Sequence, residues 1–142
     1  MVQIDVTYQG GLRCEAVHGP SGTKLVTDAP VDNQGKGESF SPTDLVATGL
    51  GVCIPTIMGI MAEREKIDLT GIRITVQKEM SAELPRRIAK LSVRIVMPRG
   101  LTEQQKAKLE KAAYTCPVHQ TLQGNVEMPI EFAYPSENTS HA

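Results

Sequence analysis

The 142-residue sequence contains no tryptophan, two phenylalanines and three tyrosines. A hydrophobic core must therefore be built from aliphatic side chains and methionine, and stacking of aromatic rings on nucleic-acid bases is poorly supported. Lysine and arginine number 15 and aspartate and glutamate 16, so the formal net charge is -1. Since a nucleic-acid partner favours a basic patch, we expect no nucleic acid among the partners.

Long apolar runs are also missing. No uninterrupted stretch of eighteen or more apolar residues occurs, so we expect no membrane span and no membrane partner. The first ten residues alternate polar and apolar side chains without a basic start or an apolar segment, which argues against a signal peptide. Cytoplasmic localisation is the resulting expectation. Three cysteines are too few for a disulfide scaffold, and in a reducing compartment cysteines are more often catalytic or metal-bound.

Alternation and helix-start signals predict an α+β fold with a largely antiparallel sheet, because runs of strands are separated from helices. Ser41, Pro42 and Asp44 form a capping box that begins a long helix, which extends to about Lys66. Further helices are expected at 103–114, after the cap residue Thr102, and from 117. Strands are expected at 2–9, 12–18, 23–27, 71–80, 87–97 (with an irregularity near Lys90) and 126–134.

The first half of the long helix is apolar nearly all round, which predicts burial on every side. A domain of this size covers such a helix with difficulty, and packing of two copies would solve the problem, so a homodimer is expected. One domain is predicted over residues 1–135, followed by a polar, disordered tail at 136–142.

Two cysteines stand in unusual surroundings. Cys53 lies in the long helix between Gly51 and Pro55. In a helix interior glycine and proline reduce helix stability by about 1 and about 3 kcal/mol relative to alanine. A close approach of another backbone or a ligand to the thiol would explain why these two residues are present. A buried, inert core cysteine is the alternative. Cys116 directly precedes Pro117 at a helix start, where free amides favour a thiolate, although a half-buried capping cysteine fits as well.

His119 follows Cys116 by one helical turn and could hold or donate a proton. The pair also has the spacing of two zinc ligands, but a matching second pair is missing, so no metal is expected. Cys14 falls within a strand and is expected in the core. The sequence has no glycine-rich phosphate loop and no His-Glu-x-x-His motif.

The segment Glu38–Leu45, followed by Gly49–Cys53, resembles the OsmC/Ohr family, and so does Cys116–Leu122. The resemblance covers nearly the whole chain except the polar tail. It implies an OsmC-like fold, an intertwined homodimer with two sites at the subunit interface, and reduction of organic hydroperoxides. It further implies that Cys53 attacks the peroxide and that Cys116 resolves the product. No cofactor is implied, only an external dithiol reductant such as a lipoyl or thioredoxin-like protein.

The resemblance also suggests assisting residues. Peroxidase members usually carry a glutamate directly after the helix-start proline, where this chain has Thr43; Asp44 comes next, and Glu38 could supply the acid. An arginine near the first Gly-Gly turn steadies the thiolate in the family, and Arg13 is the nearest candidate. With His119, these are the expected assisting residues.

The departures from the family pattern place the chain nearer to the broader OsmC-like branch. They keep two other functions open: a non-enzymatic dimer that binds a small apolar ligand, and a redox sensor that consumes peroxide stoichiometrically.

Overall fold

A computed structural model describes residues 1–136, so the predicted tail lies outside the described residues except for Ser136. The chain divides into two compact units, Met1–Val46 and a second unit that begins at Ala47. The secondary structure is α+β, as the sequence predicts.

The first unit contains an antiparallel three-stranded sheet in the order β1-β2-β3. A turn at Gly10 and Gly11, both with positive φ, joins the first two strands and gives the predicted hairpin. The loop after β3 contains a short 3-10 turn, Val31–Asn33. The strands are β1, Ile4–Gly10; β2, Arg13–His18; and β3, Lys24–Asp28.

The first unit has no apolar core of its own. Its buried residues are all polar, namely Thr27, Asp28 and Ser41. Apolar side chains of β1, including Val6 and Tyr8, are exposed instead. A sheet that exposes apolar side chains in this way gains little free energy from hydrophobic burial within the unit.

The long helix α1, Pro42–Arg64, begins at the predicted capping box. The Ser41 amide donates to Asp44 Oδ2 at 2.9 Å, and the Asp44 amide donates to Ser41 Oγ at 3.1 Å. Two orphan amides at the helix start are thereby satisfied, which explains why the helix begins there.

The second unit contains β4, β5 and β6 in that order. The irregularity expected near Lys90 is present as a register shift between β4 and β5, which are antiparallel, while β6 runs parallel to β5. Thr102 and Gln105 form the second predicted capping box, at the start of α2. The elements are β4, Arg73–Met80; β5, Ile88–Val96; α2, Glu103–Ala113; α3, Pro117–Leu122; and β6, Ile130–Ala133.

The last strand is shorter than the sequence pattern predicts. Pairing before Ile130 is limited to an isolated bridge between Glu127 and Lys90. Pro129 directly precedes the strand and has no amide to donate to a ladder, so continuous pairing starts only after it.

Burial of α1 on every side is the expectation that the structure corrects. One stripe, represented by Leu50, Ile54 and Met58, is fully buried in the core of the second unit. Val52 is 58% exposed, and Ile60 is exposed too. The reason is geometric: elements of the second unit cover one face of the helix, and the side chains of the opposite face stay open.

Within residues 1–136, α1 is also the one helix that is long and apolar enough to cross a membrane by length and composition. Core helices of soluble proteins meet the same criterion. Since the Leu50 stripe packs in the core with side chains of β5 such as Leu91 and Ile95, we interpret α1 as a core helix.

Candidate active site

Cys53 lies on α1, half-buried against the core of the second unit. A side chain at Gly51 would place its Cβ 2.9 Å from Val76 Cγ2, so the glycine allows β4 to approach the helix just before the thiol. Pro55 lies inside the helix and has no amide donor. Gly51 thus marks a position where a side chain of β4 packs closely against the helix backbone near Cys53.

Cys116 is the N-cap residue of α3 and is fully buried. Its Sγ accepts a hydrogen bond from the His119 amide at 3.4 Å. Pro117 occupies the first helical position, where an amide donor is not required. The Cys116 sulfur therefore takes the place that serine or aspartate oxygen usually takes at a helix start.

The two thiols lie beside one another in the second unit, and both are free. Burial raises the pKa of the Cys116 thiol above its usual value of 9.0, and a side-chain hydrogen bond with Cys53 raises it further. The hydrogen bond from the His119 amide acts in the opposite direction. A partly accessible thiol next to a buried one is an arrangement that can be oxidised to a disulfide.

The His119 side chain is 7% exposed, and its ring packs edge-on against Tyr114 with centroids 5.6 Å apart. Its Nδ1 has no hydrogen-bond partner among the described residues. No group of three or more potential ligands gathers around it, or elsewhere in residues 1–136, to hold a metal ion. The buried imidazole is thus a proton-binding group close in sequence to Cys116, and its role stays a prediction.

Arg13 and Glu38 meet in the first unit. Arg13 Nη1 donates to Glu38 Oε2 at 3.0 Å and lies 3.7 Å from Asp28 Oδ2. The structure therefore brings these two predicted assisting residues together. Their part in a reaction stays a prediction.

Asp28 is a buried acidic residue beside Arg13 that the sequence analysis did not identify. It is 1% exposed, and its Oδ2 accepts from the Glu38 amide at 3.1 Å. This hydrogen bond lowers the pKa of Asp28; burial opposes the effect, and the charge of Arg13 reinforces it. Arg13 and Asp28 are cross-strand partners in β2 and β3, so an opposite-charge pair on adjacent predicted strands is the signal that could have identified it.

Asp44, the remaining predicted assisting residue, is held by the helix cap. Its carboxylate accepts from the Ser41 amide, which gives it a structural task at the start of α1. The helix cap alone is a sufficient reason for an aspartate at this position, without a role in catalysis.

A cavity of about 460 Å³ opens in the second unit between the C-terminal half of α1 and the end of α2. Its walls are apolar and its rim is charged, and one wall begins one turn after Cys53. No sequence pattern identified it, because its walls come from helices distant in the chain. The lining residues are Ile57, Ile60, Met61, Arg64, Glu65, Lys108, Lys111, Ala112 and Thr115.

A family model described as OsmC-like protein matches residues 35–131. The crystal structure of a proposed osmotic stress induced and detoxification response protein from Psychrobacter arcticus 273-4 is 42% identical in sequence. Its TM-score is 0.87, and the match covers 93% of this chain and 96% of the other. No curated protein sequence matches significantly.

More distant structures share the fold. An organic hydroperoxide resistance protein from Elizabethkingia anophelis has a TM-score of 0.76 at 17% identity, covering 95% of this chain and 96% of the other. An organic hydroperoxide resistance protein OsmC from Legionella pneumophila has a TM-score of 0.75 at 18% identity, covering 94% and 96%.

Proposed function

Because this chain belongs to the OsmC-like family, we propose that it is a thiol-dependent peroxidase that reduces organic hydroperoxides in defence against oxidative stress. The observation that carries the proposal is the proximity of the two thiols, since Cys53 lies close enough to Cys116 to raise the pKa of the Cys116 thiol. The description of two structural neighbours as organic hydroperoxide resistance proteins supports the substrate class.

In the first step, the Cys53 thiolate attacks the distal oxygen of the hydroperoxide. The O–O bond breaks, the alkoxide leaves and takes a proton to become an alcohol, and Cys53 becomes a sulfenic acid. Cys53 is the thiol for this step because it is half-buried, whereas Cys116 is fully buried. A peroxide therefore reaches Cys53 with less displacement of the protein.

In the second step, the Cys116 sulfur attacks the sulfenic sulfur, water leaves, and a disulfide forms between the two residues. The disulfide protects Cys53 from further oxidation to sulfinic acid. An external dithiol then reduces the disulfide by exchange and is itself oxidised to a disulfide, which completes the cycle without a cofactor. A lipoyl or thioredoxin-like protein in a reducing cytoplasm fits this requirement.

Arg13, Glu38, Asp44 and His119 are proposed as assisting residues, on the basis of the family resemblance. The ion pair between Arg13 and Glu38 supports a joint role for these two, since each fixes the position of the other. The buried Nδ1 of His119, which has no hydrogen-bond partner within residues 1–136, supports a role in proton handling.

The functional form is proposed to be a homodimer. The first unit has no apolar core, and α1 leaves Val52 and Ile60 exposed, so apolar surface is available for a second copy. Burying such surface in a dimer would supply the hydrophobic stabilisation that the first unit lacks.

A second candidate function is a non-enzymatic dimer that binds a small apolar ligand. The cavity between α1 and α2 favours it, because its volume lies in the range of ligand pockets and its walls are apolar. A redox sensor is the third possibility, and it would consume peroxide only once per protein molecule.

Turnover of cumene hydroperoxide with a dithiol reductant tests the proposal. We expect Cys53→Ser to abolish consumption and Cys116→Ser to allow a single turnover followed by overoxidation. Cys14→Ser is the matched control and should retain activity, because Cys14 lies on β2 outside the thiol pair. Unchanged consumption by the Cys53→Ser variant would rule out the assignment, and stoichiometric consumption by the unmodified protein would favour the sensor.

A further inference from the structure

Asp28 is a buried carboxylate that the proposed reaction does not use. It is the last residue of β3, and its Oδ2 lies 3.7 Å from Arg13 Nη1. Burying a carboxylate is costly unless hydrogen bonds and an opposite charge compensate for the loss of water. The partners of Asp28 therefore indicate what the residue does.

Most of these partners are backbone amides of the loop that follows β3. Asp28 Oδ2 accepts from the Glu38 amide at 3.1 Å, and the amides of Ala29 and Lys36 also donate to the carboxylate. The Asp28 amide in turn donates to the Phe40 carbonyl oxygen at 3.1 Å. Asp28 thus joins the two ends of this loop through its side chain and through its backbone.

The loop itself is tightly closed. A side chain at Gly35 would overlap with the Ala29 carbonyl oxygen, so only glycine fits there. The Gly35 amide donates to the Pro30 carbonyl oxygen at 2.9 Å, and the Gly37 amide donates to the Ala29 carbonyl oxygen at 3.3 Å. Glu38 therefore follows a compact segment that is attached to the end of β3.

The ion pair between Arg13 and Glu38 depends on this attachment. The Glu38 side chain is exposed and the Arg13 side chain is partly exposed, and ion pairs at the surface hold a single geometry only weakly. Arg13 Nη1 lies 3.0 Å from Glu38 Oε2 and also faces Asp28. A buried carboxylate that binds the Glu38 backbone and attracts the guanidinium fixes the two relative to each other.

We propose that Asp28 is a positioning residue, which holds Glu38 beside Arg13 and thereby orients the guanidinium for the reaction with peroxide. This inference rests on the proposed function, in which Arg13 and Glu38 are assisting residues. In this role Asp28 acts through the pair and not on the peroxide itself.

Asp28→Asn tests the inference, because asparagine retains the shape of the side chain and removes its charge. With cumene hydroperoxide and dithiothreitol, we expect kcat/KM for the peroxide to fall about tenfold and kcat/KM for the dithiol to stay unchanged. A variant that was merely less folded would lose both in the same proportion. Asp5→Asn removes a charge from exposed β1 and is the matched control.

A second substitution shows whether Asp28 acts through Arg13. In an Arg13→Gln background, Asp28→Asn should have no further effect on kcat/KM for the peroxide, since no guanidinium is left to orient. If Asp28→Asn does not fold, Gly35→Ala replaces it: this change displaces the loop, leaves all three charged side chains in the protein, and should lower the same constant.

Hydrogen exchange of the Glu38 amide, followed by NMR, tests the positioning independently of turnover. Asp28→Asn should accelerate this exchange about fivefold, because a neutral acceptor binds the amide more weakly than a carboxylate. Asp5→Asn should leave it unchanged.

Unchanged exchange at Glu38 in Asp28→Asn would overturn the proposal whether or not the protein is a peroxidase. Equal loss of both kinetic constants would overturn it too, as would an undiminished effect of Asp28→Asn in the Arg13→Gln background. Absence of turnover by the unmodified protein would refute the proposed function instead, and the exchange measurement would then decide alone whether Asp28 holds Glu38.

Discussion

The Cys116 thiol at the N-cap of α3 lies close enough to the Cys53 thiol of α1 for Cys53 to raise its pKa, and of these two thiols only Cys53 is partly accessible. This difference in burial sets an order of reaction. The accessible thiol can meet a peroxide first, and the buried thiol is already in place to attack the oxidised product.

The order can be tested with one equivalent of cumene hydroperoxide. In the Cys116→Ser variant we expect a sulfenic acid at Cys53, which dimedone traps and mass spectrometry locates. In the Cys53→Ser variant we expect no dimedone label at Cys116, because this thiol is buried and its pKa is raised. Labelling of Cys116 at a comparable rate would contradict the proposed order.

The raised pKa of Cys116 predicts how the second step depends on pH. Below this pKa the reactive thiolate is a small fraction, which increases about tenfold for each pH unit. We therefore expect the rate of disulfide formation, measured by stopped-flow after a single oxidation, to rise from neutral pH through pH 9 without a plateau. A pH-independent rate between 7 and 9 would mean that deprotonation of Cys116 does not limit the step.

The same shift affects stability. Because the folded protein favours the protonated thiol, its contribution to the free energy of unfolding is complete below the unfolded-state pKa. It is lost as the pH rises through the higher pKa of the folded state.

The helix cap offers a way to separate structure from catalysis at Asp44. Asp44→Ala removes the acceptor of the Ser41 amide, so we expect the free energy of unfolding in urea to fall by about 1 kcal/mol. If the carboxylate serves only the cap, the peroxidase rate per folded molecule stays unchanged. Gln105→Ala removes the equivalent acceptor at the start of α2, which receives the Thr102 amide, and is the matched control. A large loss of rate in Asp44→Ala alone would show a catalytic part.

Structural features that depend on residues close together in the sequence were predicted most reliably. The capping boxes at Ser41 and Thr102 begin helices where the sequence predicts them, because each depends on residues three positions apart. The glycine turn at Gly10 and the irregularity near Lys90 also follow from neighbouring residues. The family resemblance selected Cys53 and Cys116 together.

Features that depend on distant residues were not predictable in the same way. The contact of Asp28 with Arg13 depends on strand register, and the cavity depends on the packing of α1 against α2. Val52 was predicted to be buried but is exposed in the single chain. Its apolar surroundings in the sequence indicate that this helix face should be covered, but they do not indicate whether the same chain or a second copy covers it. Strand β6 is shorter than predicted because Pro129 has no amide to donate, and the alternation of polar and apolar residues does not take this into account.

Asp28 is expected to hold the long loop of the first unit. Asp28→Asn removes the charge that faces Arg13 and weakens the acceptor of the Glu38 amide, so the loop at 29–40 should become more accessible to limited proteolysis. The pKa of Asp28 is lowered in the folded state, so its stabilising contribution is present above the unfolded-state pKa and is lost as the pH falls through the lower pKa of the folded state. Asp5→Asn, on exposed β1, is the control. Unchanged proteolysis of Asp28→Asn would show that the backbone hydrogen bonds suffice.

The exposed face of α1 provides the test of the homodimer. Val52→Glu places a charge on a side chain that is 58% exposed in the single chain, and in a dimer that covers this face the charge would be desolvated without a partner. We expect the unmodified protein to sediment as a dimer in analytical ultracentrifugation and the variant to shift towards monomer.

Leu84→Glu introduces the same charge at a more exposed apolar residue between β4 and β5, and it should leave the dimer intact. If the unmodified protein is monomeric at micromolar concentration, the proposed assembly is contradicted. Equal dissociation of both variants would mean that Val52 is not at its centre, and the apolar side chains of β1 would then be the next surface to substitute.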